Sequence, residues 1–273
     1  MTTTRDDPTT TAPTIAPTPT PGAAPAATLG AWLARGPFGL AMSSGFFGFF
    51  AHTGMLAALT ARGLRPTHVG GSSAGALVAG AWAAGLSPDE LGRVLLGLER
   101  AHFWDPRPGF GLLAGGKFDA LLREVLPVTD VAACAVPVHI SVYDILARRT
   151  AVIARGDLPR AIRASCAVPA MFHPVWIDRR PYWDGGVLDR PGLAGMPPGR
   201  TLFHHLASRS PWRRPGSPSL ALPRRADLVS LVVADLPRSG PFKLELGRRA
   251  LELARAATER ALDRPIVDDA VHV

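Results

Sequence analysis

Three small residues at fixed spacing, Gly71, Ser73 and Gly75, constrain this chain more than any other stretch. They lie between a β-prone segment and a run of small apolar residues with helical character. Glycines two positions before and two after a serine allow a sharp strand-to-helix turn that leaves the hydroxyl exposed above the sheet edge. The following helix would direct its N-terminal dipole and free N–H groups toward an oxyanion formed beside Ser73. The spacing predicts a nucleophile elbow; the alternative is a glycine-rich turn with a serine helix cap.

The composition predicts one folded domain with a polar tail. Of the 273 residues, 47% are hydrophobic, which is enough to build a full core. Residues 1–28 are nearly all Thr, Pro and Ala, so we expect a disordered tail before a domain at residues 29–273. No apolar run approaches the roughly 20 residues of a membrane span, and the first residues lack a secretory apolar region. These features predict a cytoplasmic protein.

The net charge of +8 comes mostly from arginine, with pairs such as Arg224–Arg225 and Arg248–Arg249 late in the chain. Such charge fits peripheral contact with an anionic membrane, or solubility alone. No zinc-finger spacing, aromatic RNA-binding strand or compact basic helix accompanies it, so no nucleic-acid partner is expected. The two cysteines, Cys134 and Cys166, form neither a metal motif nor a disulfide framework. They are predicted to be core residues.

The stretch before the elbow has the pattern of a βαβ unit. A predicted strand at residues 38–42 ends at the loop Ser43–Gly48, and a second strand at residues 67–71 leads into the elbow, with a helix between them. The crossover should be right-handed, and two parallel strands joined this way end at the same edge of the sheet. We therefore expect the loop Ser43–Gly48 to lie beside Ser73.

Helical and extended patterns continue along the rest of the chain. A capping box at residues 87–90 opens a predicted helix. Further helices are predicted at residues 117–126, 158–165 and 242–262, and strands at residues 136–143, 149–154, 175–177, 181–183, 201–206 and 228–234. Residues 102–116 are predicted to form a surface loop, whose role the sequence leaves open and which could cover a pocket. Residues 208–225 are predicted to form a loop rich in Pro, Arg and Ser.

The serine requires a base, and the sequence leaves two chemical choices: a histidine oriented by a carboxylate, or a carboxylate acting directly. Asp184 is the outstanding carboxylate. It ends an aromatic β segment and precedes Gly185 and Gly186, so the backbone can turn away and leave the side chain in a cleft. A plain Asp-Gly turn without a catalytic role fits the same residues.

A histidine base has its own candidates in His204 and His205. They follow Asp184, which gives the chain order Ser, Asp, His of an α/β-hydrolase esterase triad. They also lie on a predicted strand, where an alternating histidine is expected to face solvent. His52, on the first helix, is predicted to be a packing or capping residue.

Several segments together resemble the patatin-like phospholipase family: Leu40–Gly48, His52–Leu56, Gly71–Leu77, Ala164–Pro174 and Tyr182–Gly186. The resemblance implies a three-layer α/β/α domain with a mostly parallel central sheet, acting on lipid or acyl-ester substrates. It assigns Ser73 as nucleophile and Asp184 as base of a catalytic dyad, with Gly45 and Phe46 as donors of the oxyanion hole. This chemistry requires no metal or organic cofactor.

The oxyanion loop departs from the family pattern. The family has G-G-G-x-R/K-G or G-x-G-x-x-G, where this chain has Ser43-Ser44-Gly45-Phe46-Phe47-Gly48. A serine at a position that demands positive φ would be strained. A further hypothesis is therefore a lipid-binding or regulatory protein that keeps the fold and has lost activity. Most of the phenylalanines at positions 46, 47, 49 and 50 are predicted to be core, with at least one facing an acyl chain.

Overall fold

A nine-stranded sheet runs through the part of the chain that this computed structural model describes, residues 27–207 and 220–273. The strands in these two ranges are β1 (Gly39–Met42), β2 (His68–Ser72), β3 (Gly111–Leu113), β4 (Val138–Asp144), β5 (Arg149–Ile153), β6 (Ala170–Phe172), β7 (Val175–Ile177), β8 (Arg180–Asp184), β9 (Thr201–Leu206), β10 (Leu228–Val233) and β11 (Ala270–His272). Strands β3 and β6 form a separate parallel pair. Residues 1–26 of the predicted tail, and residues 208–219 of the predicted Pro/Arg/Ser-rich loop, lie outside the described residues.

The main sheet is mostly parallel. Strands β11, β10, β9, β1, β2 and β4 are neighbours in that order and run parallel, whereas β8, β7 and β5 add antiparallel pairs beyond β4. Met42 and Gly71 are register partners, so β1 and β2 end at the same edge. The predicted α/β class with a mostly parallel central sheet is confirmed.

Seven α-helices accompany the sheet in the described ranges: α1 (Leu29–Ala34), α2 (Phe49–Ala61), α3 (Ala74–Ala83), α4 (Pro88–Leu96), α5 (Gly116–Val125), α6 (Leu158–Ser165) and α7 (Leu244–Leu262). The predicted capping box is present, because Ser87 and Glu90 bond each other's backbone N–H groups at the start of α4. Helix α3 consists largely of Ala and Gly and is buried almost all round, which lets it pack closely against β2 and β4. No helix in the two described ranges has both the length and the apolar character of a membrane span.

The core occupies both faces of the sheet. On β1, Leu40 and Met42 belong to the main apolar cluster with the helices, while Ala41 points to a second cluster with Phe203 and Met196. All six residues of β9 are buried, because β9 lies between β1 and β10 and both of its faces are covered.

The expectation of a solvent-facing histidine on β9 is therefore wrong. The exposed fraction of His204 is 0% and that of His205 is 6%. Alternation of polar residues along a strand indicates an exposed face only when nothing covers that face.

Candidate active site

Ser73 occupies the turn between β2, which ends at Ser72, and α3, which begins at Ala74. Its backbone has φ 54° and ψ −119°, a conformation that residues with a side chain rarely adopt. The strand, turn and helix that the glycine spacing predicts are all present. The serine itself carries the strain of the turn.

The flanking glycines are required by close packing. A Cβ on Gly71 would overlap the backbone of Gly75, and a Cβ on Gly75 would overlap the carbonyl of Met42 at the end of β1. Helix α3 therefore begins in direct contact with the neighbouring strand. This approach brings Ser73 to the edge where the loop Ser43–Gly48 leaves β1.

Ser73 and Asp184 lie in direct contact, although 111 positions separate them. Ser73 Oγ donates to Asp184 Oδ2 at 2.6 Å, and Gly186 N–H donates to Asp184 Oδ1 at 2.7 Å. Asp184 ends β8, where it is the register partner of Val142 on β4. The exposed fractions of Ser73 and Asp184 are 8% and 4%, so their hydrogen bond is shielded from bulk water.

The two glycines after Asp184 allow three segments to meet. A Cβ on Gly185 would overlap the carbonyl of Ser141 on β4, and a Cβ on Gly186 would overlap the hydroxyl of Ser44. Small residues here let the end of β8 lie against both β4 and the loop Ser43–Gly48. The carboxylate is thereby placed beside that loop.

A chain of buried polar contacts holds the elbow from below, and the sequence patterns missed it. The Ser73 N–H donates to Ser165 Oγ at 2.8 Å, and Ser165 Oγ donates to the Ser141 carbonyl at 2.6 Å. Ser141 Oγ in turn donates to Asp189 Oδ2 at 2.6 Å. One sequence signal for Ser165 was available: this residue lies in Ala164–Pro174, which is one of the segments that carry the family resemblance.

The loop Ser43–Gly48 keeps an open pair of donors. Among the described residues, neither the Gly45 N–H nor the Phe46 N–H donates to another group. Positive φ in this loop falls on Phe47, at 55°, and not on either serine. The two serines are therefore free of the backbone strain that a positive φ would impose on them. Gly45 and Phe46 line the same cavity as Ser73.

That cavity is almost wholly apolar. It extends from Ser73 between α3, α4 and α5, and its lining includes Phe46, Phe47, Phe49, Leu77, Ala81, Leu91, Val94, Leu95, Leu98, Phe103, Phe118, Leu122 and Phe172. Three of the four clustered phenylalanines thus line it, and Phe50 is fully buried in the core. Phe103 brings the predicted surface loop at residues 102–116 to the cavity.

Cys166 also lines the cavity, and its thiol donates to the Ser73 carbonyl at 3.2 Å. Burial raises the pKa of this thiol well above its usual value, so it stays protonated. It acts as a packing residue beside the serine.

The histidines form a separate buried cluster. His52 Nδ1 lies 2.8 Å from His204 Nδ1, and His52 Nε2 donates to the Ser43 carbonyl at 2.7 Å. His205 Nδ1 lies 3.3 Å from the guanidinium of Arg190. His52 is thus a packing residue, as predicted. The direct contact between Ser73 and Asp184 leaves no place for an imidazole between them, so the geometry does not support a triad through His204 or His205.

Within residues 27–207 and 220–273, no three His, Cys, Asp or Glu side chains cluster closely enough to hold a metal ion. The polar groups that meet at the site are the Ser73 hydroxyl, the Asp184 carboxylate and the N–H groups of Gly45 and Phe46.

The sequence and the fold of this chain are similar to those of known proteins. The family model described as patatin-like phospholipase matches residues 40–195. Uncharacterized NTE family proteins of Mycobacterium tuberculosis and Mycobacterium bovis are 34% identical over 154 residues, which is 55% of this chain and 42% of theirs. The chain thus matches less than half the length of these relatives.

The crystal structure of VipD from Legionella pneumophila shares the fold, with a TM-score of 0.56, 15% identity, and coverage of 83% of this chain and 67% of that one. The family match spans more than half of the sequence and contains Ser73 and Asp184, and the chain belongs to the patatin-like phospholipase family.

Proposed function

We propose that this protein is a serine lipid acyl hydrolase of the phospholipase A or esterase type, which cleaves carboxylic esters of lipids with Ser73 and Asp184. The observation that carries the proposal is the 2.6 Å hydrogen bond from Ser73 Oγ to Asp184 Oδ2 at the head of an apolar cavity. A hydroxyl paired with a base is the arrangement that nucleophilic acyl transfer requires. The family match supports a lipid hydrolase at the family level.

In the acylation step, Asp184 takes the proton from Ser73 Oγ as the oxygen attacks the ester carbonyl. The carbonyl oxygen becomes an oxyanion, which the free N–H groups of Gly45 and Phe46 stabilise together with the N-terminal dipole of α3. Collapse of the tetrahedral intermediate breaks the bond to the alcohol, which leaves with the proton from Asp184. Asp184 then takes a proton from a water molecule, whose oxygen bonds to the acyl carbonyl. The bond between that carbonyl carbon and Ser73 Oγ breaks, the fatty acid leaves, and Ser73 Oγ takes the proton back from Asp184.

The cavity supports an acyl chain as the bound part of the substrate. Its walls are Phe, Leu, Val and Ala side chains from α3, α4 and α5. Each methylene transferred from water to such a wall contributes about 0.8 kcal/mol. The polar head group then lies toward the open side, beside Phe46.

A fluorophosphonate probe and two variants test the proposal. The parent protein should be labelled at Ser73 and should hydrolyse acyl esters, and Ser73→Ala should abolish both. Asp184→Asn should lower turnover by a factor of about 10² to 10⁴, since it removes the general base. Circular dichroism of each variant checks that the fold is intact. Full turnover by Asp184→Asn would refute the dyad.

The second candidate is a lipid-binding or regulatory protein without turnover. The altered loop Ser43–Gly48 favours it, because that loop lacks the basic residue and two glycines of the family pattern. Binding of a fatty acid without probe labelling at Ser73 would select this function over hydrolysis.

A further inference from the structure

The mouth of the cavity carries an exposed aromatic surface that the proposed reaction does not use. The exposed fraction of Phe46 is 52% and that of Phe242 is 67%. The Trp104 and Phe242 ring centroids lie 5.4 Å apart, and a Cβ on Gly240, two residues before Phe242, would lie 3.7 Å from the Phe46 ring. We call Phe46, Trp104, Phe242 and Arg100 the aromatic rim. Large aromatic side chains that stay exposed together mark an interaction surface.

The aromatic rim is continuous with the cavity. Phe46 contacts Phe47 at 4.9 Å between ring centroids, Phe47 contacts Phe103 at 5.7 Å, and all three line the cavity. Phe46 follows the carboxyl end of β1, and Phe242 follows the carboxyl end of β10. Because β1 and β10 both pair in parallel with β9, these ends lie at the same edge of the sheet, where Ser73 also lies. A surface against the aromatic rim would therefore face the entrance to the site.

The rim also carries a cation that is free to bind an anion. The Arg100 guanidinium lies 4.9 Å from the Phe242 centroid and 5.8 Å from that of Trp104. No carboxylate among the described residues lies within ion-pair distance of Arg100. A guanidinium stacked on aromatic rings keeps its charge and can bind a phosphate.

We propose that the aromatic rim docks the protein on an anionic phospholipid bilayer, with Trp104 and Phe242 at the level of the head groups and Arg100 bound to lipid phosphate. This inference rests on the proposed function, because docking would place a lipid ester directly at the cavity entrance. Amphipathic aromatic rings and arginine together are the side chains that membrane interfaces favour. Charge complementarity favours a lipid surface over a second copy of this chain, which would bring two Arg100 guanidinium groups together.

Co-sedimentation with vesicles tests the docking directly. The Ser73→Ala protein, which leaves the lipid intact, should bind phosphatidylcholine vesicles that contain phosphatidylglycerol more tightly than phosphatidylcholine alone. In that background, Phe242→Ser should weaken binding about tenfold and Arg100→Gln about fivefold. With Ser73 present, both variants should hydrolyse a soluble short-chain ester at the parent rate.

Matched control variants lie at the opposite, amino edge of the sheet. Val267 is 61% exposed and precedes β11, and Arg35 is exposed and precedes β1. Val267→Ser and Arg35→Gln remove the same kinds of group and should bind vesicles as the parent does. A loss of binding in the controls equal to that in the rim variants would overturn the assignment to the aromatic rim.

Three further results would overturn the inference: parent-like vesicle binding by Phe242→Ser and Arg100→Gln, binding that ignores phosphatidylglycerol, or a dimer in solution that Phe242→Ser dissociates. Failure of the proposed function has a different signature. Vesicle binding that depends on the rim, in a protein that fluorophosphonate does not label, would sustain docking and remove the hydrolase. Labelling of Ser73 by fluorophosphonate without vesicle binding would sustain the hydrolase and remove the docking.

Discussion

The backbone N–H of Ser73 donates to the hydroxyl of Ser165, 92 positions later in the chain, at 2.8 Å. The contact ties the strained turn to the end of α6. Because the φ of Ser73 is 54°, the surrounding structure must hold this conformation in place.

We expect Ser165→Ala to destabilise the protein by about 1–3 kcal/mol, since it leaves a buried N–H without its acceptor. Turnover should fall roughly ten- to a hundredfold, because the nucleophile loses its position. Denaturant unfolding and ester hydrolysis measure the two effects. Ser87→Ala is the matched control. It removes the N-cap of α4, which should lower the free energy of unfolding by about 1 kcal/mol and leave turnover unchanged. Equal turnover in both variants would contradict the positioning role of Ser165.

Two helical glycines should respond in opposite ways to alanine. A Cβ on Gly75 would overlap the Met42 carbonyl, whereas a Cβ on Gly92 in α4 would lie 3.9 Å from Leu251 Cδ1. Gly75→Ala should therefore lower the free energy of unfolding by about 3 kcal/mol through overpacking. Gly92→Ala should raise it by up to about 1 kcal/mol through helix propensity. Thermal unfolding of both variants checks this, and equal melting temperatures would show that the close approach at Gly75 tolerates a methyl group.

The buried histidines should make stability depend on pH. Burial lowers the pKa of His52 from 6.5 to about 4, and that of His205 to about 4 as well. Between these values the unfolded chain binds protons that the folded protein does not. Stability is therefore full above pH 6.5 and falls as the pH decreases toward 4, by about 3 kcal/mol for His52 alone.

The variant His52→Gln isolates this contribution. Its amide can still donate to the Ser43 carbonyl but does not titrate. Urea unfolding at several pH values between 6.5 and about 4 gives the free energy of unfolding as a function of pH. This free energy should change less steeply with pH for the variant than for the parent. Identical slopes would mean that His52 is not the source of the pH dependence.

The length of the cavity should set the preferred acyl chain. Ala81 lines the cavity two turns along α3 from Ser73, at a distance of about 12 Å. Ala81→Phe should therefore reduce hydrolysis of long-chain esters about tenfold or more and leave acetyl ester hydrolysis unchanged. A series of esters of one alcohol with increasing acyl length measures the shift. A uniform loss across the series would indicate a general packing defect and contradict the proposed path of the chain.

Periodic patterns predicted most of the elements that build the sheet. The helix at residues 158–165 and the strand at residues 201–206 have the predicted bounds. Strands β1, β2 and β10 differ from the predicted bounds by one residue at one or both ends. The elements that were not predicted, α1, β3, β6 and β11, are short. A segment of three to six residues has little periodicity of its own, and its structure depends on its partners: β11, for example, forms by pairing with β10.

The amino-acid sequence by itself determined the strand, turn and helix around Ser73, the chain turn after Asp184, and the family to which both motifs belong. Only the tertiary structure decided that their side chains touch, that Ser165 supports the serine from behind, and that the histidines are buried away from it. The reason is physical. Local patterns report which backbone conformation a segment prefers, whereas contacts across 92 or 111 positions depend on how the strands are ordered in the sheet.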